Sequence, residues 1–334
     1  MKALVTGGGG FLGGVIVRML RQQGHQVASF SRGDYPALKS LGVEQFRGEV
    51  EDRAAVEAAA TGCDVIFHVA AKAGIWGDFK EYYQANVTGT ENVLAACRVL
   101  GINRLVYTGS PSVVFDGQDV EGGDESLPYP ASYVAHYPQT KASAERLVLA
   151  ANSPSLATVA LRPHLIWGPG DNHLVPRIIA KGRAGKLRRI GQRPCLVDTV
   201  YVDNAARAHL LAAERLVPGS AVAGKAYFIS NGEPLPLWDM VNRILAAADL
   251  PPVTRTISPQ LAYAAGLLCE TVWRALPLAG EPPMTRFIAK ELATAHWFNI
   301  DAARRDLGYL PEVSVDEGLK RLEKWLSGGQ KELV

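Results

Sequence analysis

The sequence predicts an α/β fold, in which a doubly wound parallel sheet is followed by a smaller part of mixed structure. Three observations support this prediction. Short apolar strands alternate with helical segments through the first half of the chain. A glycine-rich run, Gly7 to Gly13, separates the first strand from the first helix. After Pro169 the prolines cluster and the strands become isolated, which indicates a different structure there.

The expected elements can be placed in order along the chain. Strands are predicted at residues 3–5, 27–30, 65–67, 105–107 and 159–161, and again at 200–202 and 227–229. The first helix carries apolar residues at helical spacing and ends at Gly24. A long helix is predicted over residues 82–100, crossed by Gly89, and another begins near Tyr137 and continues through residues 143–151.

The run Thr6-Gly7-Gly8-Gly9-Gly10-Phe11-Leu12-Gly13 has the arrangement of a dinucleotide-binding loop. A strand that leads through glycines into a helix presents backbone N–H groups and the positive helix end to a pyrophosphate. Gly7 would allow the tight turn, Gly10 the close approach of the phosphates, and Gly13 tight packing of helix on strand. The spacing is G-x-x-G-x-x-G, one residue longer in its first half than G-x-G-x-x-G. The sequence therefore predicts a Rossmann-type sheet.

The end of the second strand predicts which nicotinamide cofactor binds. A site that prefers NAD places Asp or Glu there, where the carboxylate accepts from the ribose 2′-OH. This chain has Ser31 followed by Arg32, so a guanidinium is available for a 2′-phosphate and no carboxylate repels it. We expect the cofactor to be NADP(H). Arg32 as an ordinary loop residue is the alternative.

The change in sequence pattern after Pro169, where prolines cluster and strands become isolated, also predicts the domain organisation. We expect residues 1–170 to form the dinucleotide-binding domain, with residues 198–230 returning to it. The substrate-binding part is expected within residues 171–334, mainly 171–197 and 231–330.

The composition excludes several classes of protein. The chain has 334 residues, 48% of them hydrophobic and 20% charged, which is ordinary for a globular protein with a full core. A net charge of +2 is too small to indicate nucleic-acid binding. The four cysteines form no C-x-x-C pair and the seven histidines show no metal-ligand spacing, so we expect no metal. The N-terminus has no signal-peptide pattern, and we expect a cytoplasmic protein.

Two segments leave alternatives open. Residues 261–278 are apolar but include Glu270 and Arg274, so the segment is too short and too charged to span a bilayer. We expect an amphipathic helix that lines a cleft or packs on the core, with a membrane-surface helix as the alternative. Residues 181–193 hold six basic residues and no acid. A solvated helix end is the expected structure, and attraction of acidic substrates or lipid headgroups is the alternative.

Tyr137 and Lys141 form the catalytic pair that the sequence predicts. Residues four apart lie on one face of a helix, and Pro138 is tolerated only in a first turn, so Tyr137 is expected at the helix entry. Hydride reduction of a ketone leaves an alkoxide, which needs a proton donor in place. The Lys141 ammonium is expected to lower the pKa of the phenol. An ordinary packed aromatic and a surface charge are the alternative.

Taken together, these residues resemble the extended short-chain dehydrogenase/reductase superfamily, and within it the 3β-hydroxysteroid dehydrogenase branch. The resemblance covers most of the chain. It depends on the glycine loop, His68-Val69-Ala70-Ala71, Asn86-Val87-Thr88-Gly89-Thr90, Tyr107-Thr108-Gly109-Ser110, Tyr137 with Lys141, Leu161-Arg162-Pro163, Gly168-Pro169-Gly170 and Tyr201-Val202-Asp203-Asn204. The context Ala70-Ala71-Lys72-Ala73-Gly74-Ile75-Trp76-Gly77 is similar to that of the NADPH-dependent 2-alkyl-3-oxoalkanoate reductases of bacterial long-chain olefin biosynthesis.

The resemblance implies roles for further residues. Ser110 would orient the substrate carbonyl, with Ser112 as a second candidate, and Lys141 would also bind the nicotinamide ribose. Glu49 stands where the family has an Asp that contacts adenine, which puts that contact in doubt. The other implied cofactor contacts are Phe11, Leu12, Val50, Ala70, Ala71, Lys72, Asn86, Pro163 and His164. Trp76 and Tyr82, together with Lys72, are expected to cover the active site.

The resemblance also implies the function. We expect an NADPH-dependent reductase of a bulky, lipid-like ketone, with a 2-alkyl-3-oxoalkanoic acid as the leading substrate. A 3β-hydroxysteroid or 4-carboxysterol dehydrogenase is the alternative within enzymes, and a regulator that senses NADP(H) without turnover is the alternative outside them. A homodimer and neighbouring enzymes of a lipid pathway are the partners expected.

Overall fold

The computed structural model describes residues 1–276 and 278–328. Pro277, within the segment 261–278, and residues 329–334, at the end of the expected substrate-binding part, therefore lie outside the described residues. The strands are β1 (Lys2–Thr6), β2 (Gln26–Ser31), β3 (Glu44–Arg47), β4 (Val65–His68), β5 (Arg104–Thr108), β6 (Val120–Gly123), β7 (Ala157–Pro163), β8 (Ile166–Trp167), β9 (Arg189–Ile190), β10 (Leu196–Val197), β11 (Val200–Tyr201), β12 (Lys225–Ile229), β13 (Leu235–Pro236), β14 (Thr256–Ile257) and β15 (His296–Phe298).

Helices follow most of these strands. They are α1 (Phe11–Gln22), α2 (Pro36–Ser40), α3 (Arg53–Ala60), α4 (Phe79–Tyr83), α5 (Gly89–Leu100), α6 (His136–Ala150), α7 (Leu174–Arg183), α8 (Val202–Arg215), α9 (Leu237–Ala246), α10 (Pro259–Ala275), α11 (Arg286–Glu291) and α12 (Val315–Leu326). Short π-helical turns lie at Gln84–Thr88 and Ala303–Leu307, and a 3₁₀ turn lies at Pro111–Val114.

The main sheet has seven parallel strands in the order β12-β7-β5-β4-β1-β2-β3. The predicted doubly wound parallel sheet is confirmed. From β1 the chain builds outward through β2 and β3, and it then crosses back to place β4 on the other side of β1. Such a reversal leaves a crevice at the carboxyl ends of the two central strands, where nucleotides bind in sheets of this kind.

Helices cover both faces of the main sheet, which explains why its strands read as continuous apolar runs. One face packs on α1 and α8, which contribute Ile16, Leu20 and Ala205 among other residues. The other face packs on α3, α5 and α6, with Val56 and Val93 in its core. The sheet is therefore held rigidly between two layers, and the positions of the loops at its carboxyl edge are fixed.

A second, mixed sheet has the order β13-β10-β15-β6. Strand β10 pairs antiparallel with β13 and parallel with β15, which pairs in turn with β6. A third apolar core is formed by residues of this sheet and of helices α9 to α11, among them Val197 and Trp238. Thus β6, from the first half of the chain, joins this sheet, whereas β12, from the second half, joins the edge of the main sheet.

Two predicted elements differ in the structure. Residues 82–100 form α4 and α5 with a π-helical turn between them, and at their junction Gly89 lies so close to Val50 that an added Cβ would approach the Val50 side chain to 2.6 Å. Residues 200–202 do not join the main sheet. Only Val200 and Tyr201 are extended, and they pair with β8, because β12 already occupies the edge beside β7.

Helix α10 forms in the apolar segment, but its acidic residue is buried and its leucines are exposed, which is the reverse of what we expected. Its acid, Glu270, is buried and accepts from the backbone N–H and Nε of Arg286, both on α11. Its leucines face outward, Leu268 being 66% exposed. Among residues 1–276 and 278–328, no helix combines the length and the apolar character that crossing a bilayer requires.

Candidate active site

The glycine loop lies at the carboxyl end of β1, with the tight geometry that its sequence predicts. Gly7 has a positive φ of 71° and its N–H donates to the Phe30 carbonyl at 2.8 Å. A Cβ on Gly13 would lie 2.1 Å from the Gly7 carbonyl oxygen, so only glycine fits there. Helix α1 begins at Phe11, so Phe11 and Leu12 present first-turn N–H groups that have no partner within the helix. The loop is thus shaped to receive an anion.

The end of β2 meets this loop from the side. The Gly9 N–H donates to Ser31 Oγ at 3.2 Å, so Ser31 holds the loop in place. Arg32 is exposed, and within the part of the chain that the structure describes its guanidinium has no acidic partner. Arg47, at the end of β3, donates from Nε to the Arg32 carbonyl at 2.9 Å. Two guanidinium groups therefore lie at the same edge, and the sequence identified only the first.

The expected adenine segment lies beyond β3. Glu49 is exposed, and its backbone carbonyl accepts from the N–H of Asp52 at 3.0 Å. Val50 is buried, and its carbonyl accepts from the Asn92 amide at 2.9 Å. The Glu49 carboxylate is therefore free to point toward solvent or ligand, whereas Val50 is fixed by α5.

The segment after β4 closes over the glycine loop. The Ala70 N–H donates to Thr6 Oγ1 at 3.2 Å, and an added Cβ on Gly7 would lie 3.0 Å from the Ala70 backbone. Two residues further on, Asn86 holds the backbone of Lys72 at both ends. It accepts from the Lys72 N–H at 2.7 Å and donates to the Lys72 carbonyl at 3.1 Å. It also donates to Thr140 Oγ1 on α6. Asn86 therefore positions backbone, and Ala71, between these anchors, is exposed.

Lys141 lies deep in the site. It is only 3% exposed, its Nζ donates to the Thr108 carbonyl at 2.5 Å, and it lies 4.2 Å from the centre of the Tyr107 ring. Burial lowers the pKa of Lys141 to about 7, although the negative charge of Glu145 acts in the opposite direction. Lys141 can therefore change its charge near neutral pH.

Tyr137 enters the same site at the start of α6, one turn before Lys141, with Pro138 in the first turn as expected. Burial raises the pKa of Tyr137, the Ser110 hydrogen bond opposes this, and the charge of Glu291 raises it further. Burial is the largest influence on the pKa of Tyr137, and Lys141 is not among the groups that shift it, so a lowering by Lys141 stays a prediction for the protein with bound nucleotide.

Ser110 and Ser112 form a pair beside the phenol. Their hydroxyl oxygens are 2.9 Å apart, and the Ser112 N–H donates to Ser110 Oγ at 3.3 Å. Ser110 caps the short turn Pro111–Val114, and Pro111 stands at the start of that turn, where its fixed φ is compatible with the turn geometry. Of the two serines, Ser110 is the one that opposes the rise in the pKa of Tyr137.

Pro163 ends β7, and His164 follows it. The His164 N–H already donates to the Ile229 carbonyl at 3.0 Å. Its imidazole bonds Asp198 Oδ1 through Nδ1 at 2.6 Å and His296 Nδ1 through Nε2 at 3.2 Å. The His164 side chain therefore belongs to a buried chain of polar groups, and neither its ring nor its N–H is free for a cofactor.

The segment expected to cover the site is anchored by Tyr82. This side chain is buried and donates from its hydroxyl to the Trp76 carbonyl at 3.2 Å. Lys72 bonds Glu81 at 2.8 Å, and Arg274 of α10 lies 5.7 Å from the Trp76 ring centre. The covering segment therefore meets α10, which connects the apolar helix to the site.

Sequence reasoning missed a buried ion pair under the catalytic helix. Arg162 donates from Nη2 to Glu145 Oε1 at 2.7 Å, both side chains are at most 3% exposed, and Tyr129 donates to the same oxygen at 2.7 Å. It also missed His209, whose Nδ1–H donates to the Ala205 carbonyl, so its Nε2 accepts from the Thr108 hydroxyl at 2.9 Å. Arg162 lay in a quoted motif, but nothing in the sequence paired it with Glu145.

No metal site accompanies these groups in the described ranges 1–276 and 278–328, where no three His, Cys, Asp or Glu side chains are placed to hold an ion. The groups that the structure brings together are Ser110, Tyr137 and Lys141, beside the glycine loop and the segment after β4. Such an arrangement can bind an anion on backbone N–H groups and move a proton at the phenol.

Solved structures share this fold. The crystal structure of the protein gox2253 has a TM-score of 0.79 and 26% identity, with 97% of each chain covered. The structure of MoeE5 in complex with UDP-glucose and NAD has a TM-score of 0.75 and 24% identity, covering 99% of this chain and all of that one. The second likeness shows the fold alone.

Curated proteins resemble the chain over nearly its full length. A 2-alkyl-3-oxoalkanoate reductase of Stenotrophomonas maltophilia is 56% identical, with 97% of this chain and 98% of that protein covered. Its counterpart in Shewanella oneidensis is 51% identical, with 96% and 85% covered. A decarboxylating sterol-4-alpha-carboxylate 3-dehydrogenase of Mus musculus is 36% identical, with 96% and 89% covered.

A family model also matches most of the chain. The model of the 3-beta hydroxysteroid dehydrogenase/isomerase family matches residues 4–259, from β1 to the start of α10. That span contains the glycine loop, Ser110, Tyr137 and Lys141. The chain belongs to the 3-beta hydroxysteroid dehydrogenase/isomerase family.

Proposed function

We propose that the protein is an NADP(H)-dependent oxidoreductase that reduces a 2-alkyl-3-oxoalkanoic acid to the 2-alkyl-3-hydroxy acid. The names of the two relatives above 50% identity support this substrate class. The observation that carries the chemistry is the convergence of Ser110, Tyr137 and the buried Lys141 at the ends of β5 and α6: Lys141 Nζ donates to the Thr108 carbonyl two residues before Ser110, and Tyr137 lies one helical turn before Lys141. Such an arrangement supports a proton donor and a second hydroxyl that one carbonyl oxygen could contact together.

The residues of this chain fit the cofactor. The Gly7–Gly13 cradle would be filled by any Cβ at Gly13, and the first turn of α1 is free to bind a pyrophosphate. When bound, NADPH would supply a hydride to the carbonyl carbon. The unpaired Arg32, with Arg47 beside it, supports a preference for the 2′-phosphate.

The chain's own groups would manage the proton. Ser110 would donate a hydrogen bond to the substrate carbonyl oxygen and hold it, and Tyr137 would transfer its phenolic proton to that oxygen as charge develops. The resulting phenolate would lie near Lys141, whose ammonium the Thr108 carbonyl holds in position. Because the Lys141 pKa lies at about 7, a proton can pass through this amine near neutral pH.

We also propose how the molecule is divided and how it assembles. Residues 1–170 with 198–230 would bind the nucleotide, and 171–197 with 231–330 would bind the substrate. A homodimer would form through the long helices α5 and α6, and the exposed Val99 and Leu100 at the end of α5 support a contact there. The protein would act in the cytoplasm beside other enzymes of a lipid pathway. Light scattering of the purified protein tests the dimer.

Two substrates discriminate the leading function from its alternative. A sterol 4-carboxylate dehydrogenase is the second candidate, supported by the relative from Mus musculus. We expect the protein to oxidise NADPH with a long-chain 2-alkyl-3-oxo acid and to release no CO2 in proportion to turnover. Reduction of NADP⁺ by a 4-carboxysterol, with matching CO2 release, would favour the sterol reaction. Binding of NADPH without turnover of either would favour a regulator.

A further inference from the structure

Helix α10 presents an apolar face to solvent. Residues 261, 264, 268, 271 and 275 recur three and four positions apart, which places them on one side of the helix, and all five are exposed. Between residues 251 and 280 the sequence has one acid, Glu270, and its carboxylate is buried against Arg286. The exposed leucines of the helix and of the segment that follows it are between 43% and 66% exposed; they are Leu261, Leu267, Leu268, Leu276 and Leu278.

The opposite side of α10 fixes this orientation. Ala262, Gly266 and Glu270, each four positions apart, are buried. A Cβ on Gly266 would lie 2.6 Å from the Thr285 backbone, so the helix packs directly on the chain that begins α11. Glu270 also bonds the Arg286 side chain there. Turning the helix to bury its leucines would break both contacts. Contiguous apolar surface that packing holds in solvent is typical of an interaction site.

The basic segment of residues 181–193 borders α10 at both ends. Its strand β9 pairs in parallel with β14, which leads directly into α10. Beyond the other end of the helix, Lys181 Nζ donates to the Pro283 carbonyl at 3.4 Å. Within residues 1–276 and 278–328, Arg193 is the one base of this segment that has an acidic partner. Five basic side chains without acidic partners therefore flank the exposed leucines.

We propose that the exposed leucines and this basic segment dock the protein on the surface of an anionic lipid bilayer. The leucines would enter the boundary between headgroups and acyl chains, and the bases would contact the anionic headgroups. Such a helix lies in the plane of the interface and does not need to cross the bilayer. A second copy of this chain fits the surface less well, because a two-fold interface on α10 would bring two basic segments together.

Docking in this orientation would bring the covering segment of the active site to the lipid. Arg274, on α10, lies 5.7 Å from the centre of the Trp76 ring, and the Trp76 carbonyl accepts from the hydroxyl of the buried Tyr82. A 2-alkyl-3-oxoalkanoic acid with long chains partitions into lipid, so the docked enzyme would meet its substrate at the membrane. This consequence rests on the proposed function, whereas the docking itself does not.

Sedimentation with lipid vesicles tests the docking. The full-length protein is mixed with vesicles of phosphatidylcholine alone, or of phosphatidylcholine with an equal share of phosphatidylglycerol, and the pelleted fraction is measured at low and high salt. We expect about tenfold stronger partitioning onto the mixed vesicles at low salt. The preference should decrease at high salt, because salt screens the attraction. Equal pelleting with and without mixed vesicles overturns the proposal.

A pair of apolar variants tests the contribution of the leucines. Leu261→Gln combined with Leu268→Gln should weaken partitioning onto mixed vesicles about tenfold at either salt concentration. Val217→Gln combined with Leu310→Gln is the matched control, because these side chains are 52% and 67% exposed on other parts of the surface. The control should partition like wild type.

A pair of charge variants tests the contribution of the bases. Arg183→Gln combined with Lys186→Gln removes two exposed bases of the basic segment, so partitioning should weaken about tenfold at low salt and little at high salt. Lys320→Gln combined with Lys324→Gln removes two exposed bases on α12 and should have little effect at either. Far-ultraviolet circular dichroism checks that all the variants are folded.

The outcomes are distinguishable. A Leu261→Gln, Leu268→Gln variant that pellets like wild type overturns the proposal. If that variant instead lowers the mass measured by light scattering and leaves pelleting unchanged, the surface is an interface between copies, and the proposal is again overturned. Docking on mixed vesicles by a protein that reduces no ketone overturns the proposed function and leaves the membrane surface assigned.

Discussion

The nucleotide edge and the substrate side of this molecule are built in different ways. At the nucleotide edge, backbone groups at the ends of β1, β2 and β4 form the cradle, and each comes from a short run of sequence. On the substrate side, α10 and α11 bring together side chains that lie far from the motifs, such as the ion pair of Glu270 and Arg286. Where backbone groups bind the ligand, the required glycine spacing appears in the sequence, so the site can be predicted from the sequence. Where side chains do it, tertiary packing alone brings them together.

The largest effect on activity should come from removing the Tyr137 phenol, which lies between the nucleotide edge and the substrate side. Tyr137→Phe removes the proton donor but keeps the ring, so we expect kcat to fall by about 1,000-fold. NADPH affinity should change little, because the glycine cradle is untouched. Steady-state kinetics and fluorescence titration measure the two quantities. A variant that retains wild-type turnover would show that catalysis belongs elsewhere.

The features that could be predicted from the sequence lie mostly at the nucleotide edge, and those that could not depend on tertiary packing. The parallel sheet, the glycine loop and the Tyr137–Lys141 spacing were predictable because each depends on residues a few positions apart. The contact between Glu145 and Arg162, and that between Thr108 and His209, join residues 17 and 101 positions apart, so only the fold reveals them. The raised pKa of Tyr137 could not be predicted either, because it depends on how deeply the folded chain buries the phenol and on the charge of the distant Glu291.

The cradle itself provides the next test. A Cβ on Gly13 would lie 2.1 Å from the Gly7 carbonyl oxygen, so Gly13→Ala must displace the loop from α1. We expect NADPH to bind about 100-fold more weakly, which corresponds to about 2.7 kcal/mol. Gly14→Ala is the matched control, since its Cβ would meet the Gly8 carbonyl oxygen at an ordinary 3.6 Å. Equal affinities in the two variants, measured by calorimetry, would remove the cradle from nucleotide binding.

A smaller change should separate the two nicotinamide cofactors. Arg32→Ser removes a guanidinium that has no acidic partner in the described part of the chain, so NADPH should bind roughly tenfold more weakly while NADH is unaffected. Arg47→Ser should have a weaker effect in the same direction, because part of that side chain already bonds the Arg32 carbonyl. The ratio of kcat/KM values for NADPH and NADH measures the preference. A wild-type enzyme that prefers NADH would contradict the assignment of Arg32.

The smallest effect concerns stability on the substrate side. The folded pKa of Glu291 is about 7, above its ordinary value of 4.5, so between these pH values the unfolded chain binds fewer protons than the folded one. Stability from this carboxyl therefore falls as pH rises from 4.5 to 7 and is constant above that. Glu291→Gln removes the charge and, because solvent screens this half-buried side chain, should stabilise the nucleotide-free protein by about 1 kcal/mol at pH 8.

Thermal melts at pH 5 and pH 8 measure the difference between Glu291→Gln and wild type. At pH 5 it should nearly vanish, because the carboxyl is then protonated in the folded protein, and Glu323→Gln, which removes an exposed charge on α12, should show no difference at either pH. A stabilisation that is equal at both pH values would mean that Glu291 keeps an ordinary pKa. In that case the carboxyl would already be largely ionised in the folded protein at pH 5, and its surroundings on the substrate side would solvate the charge well.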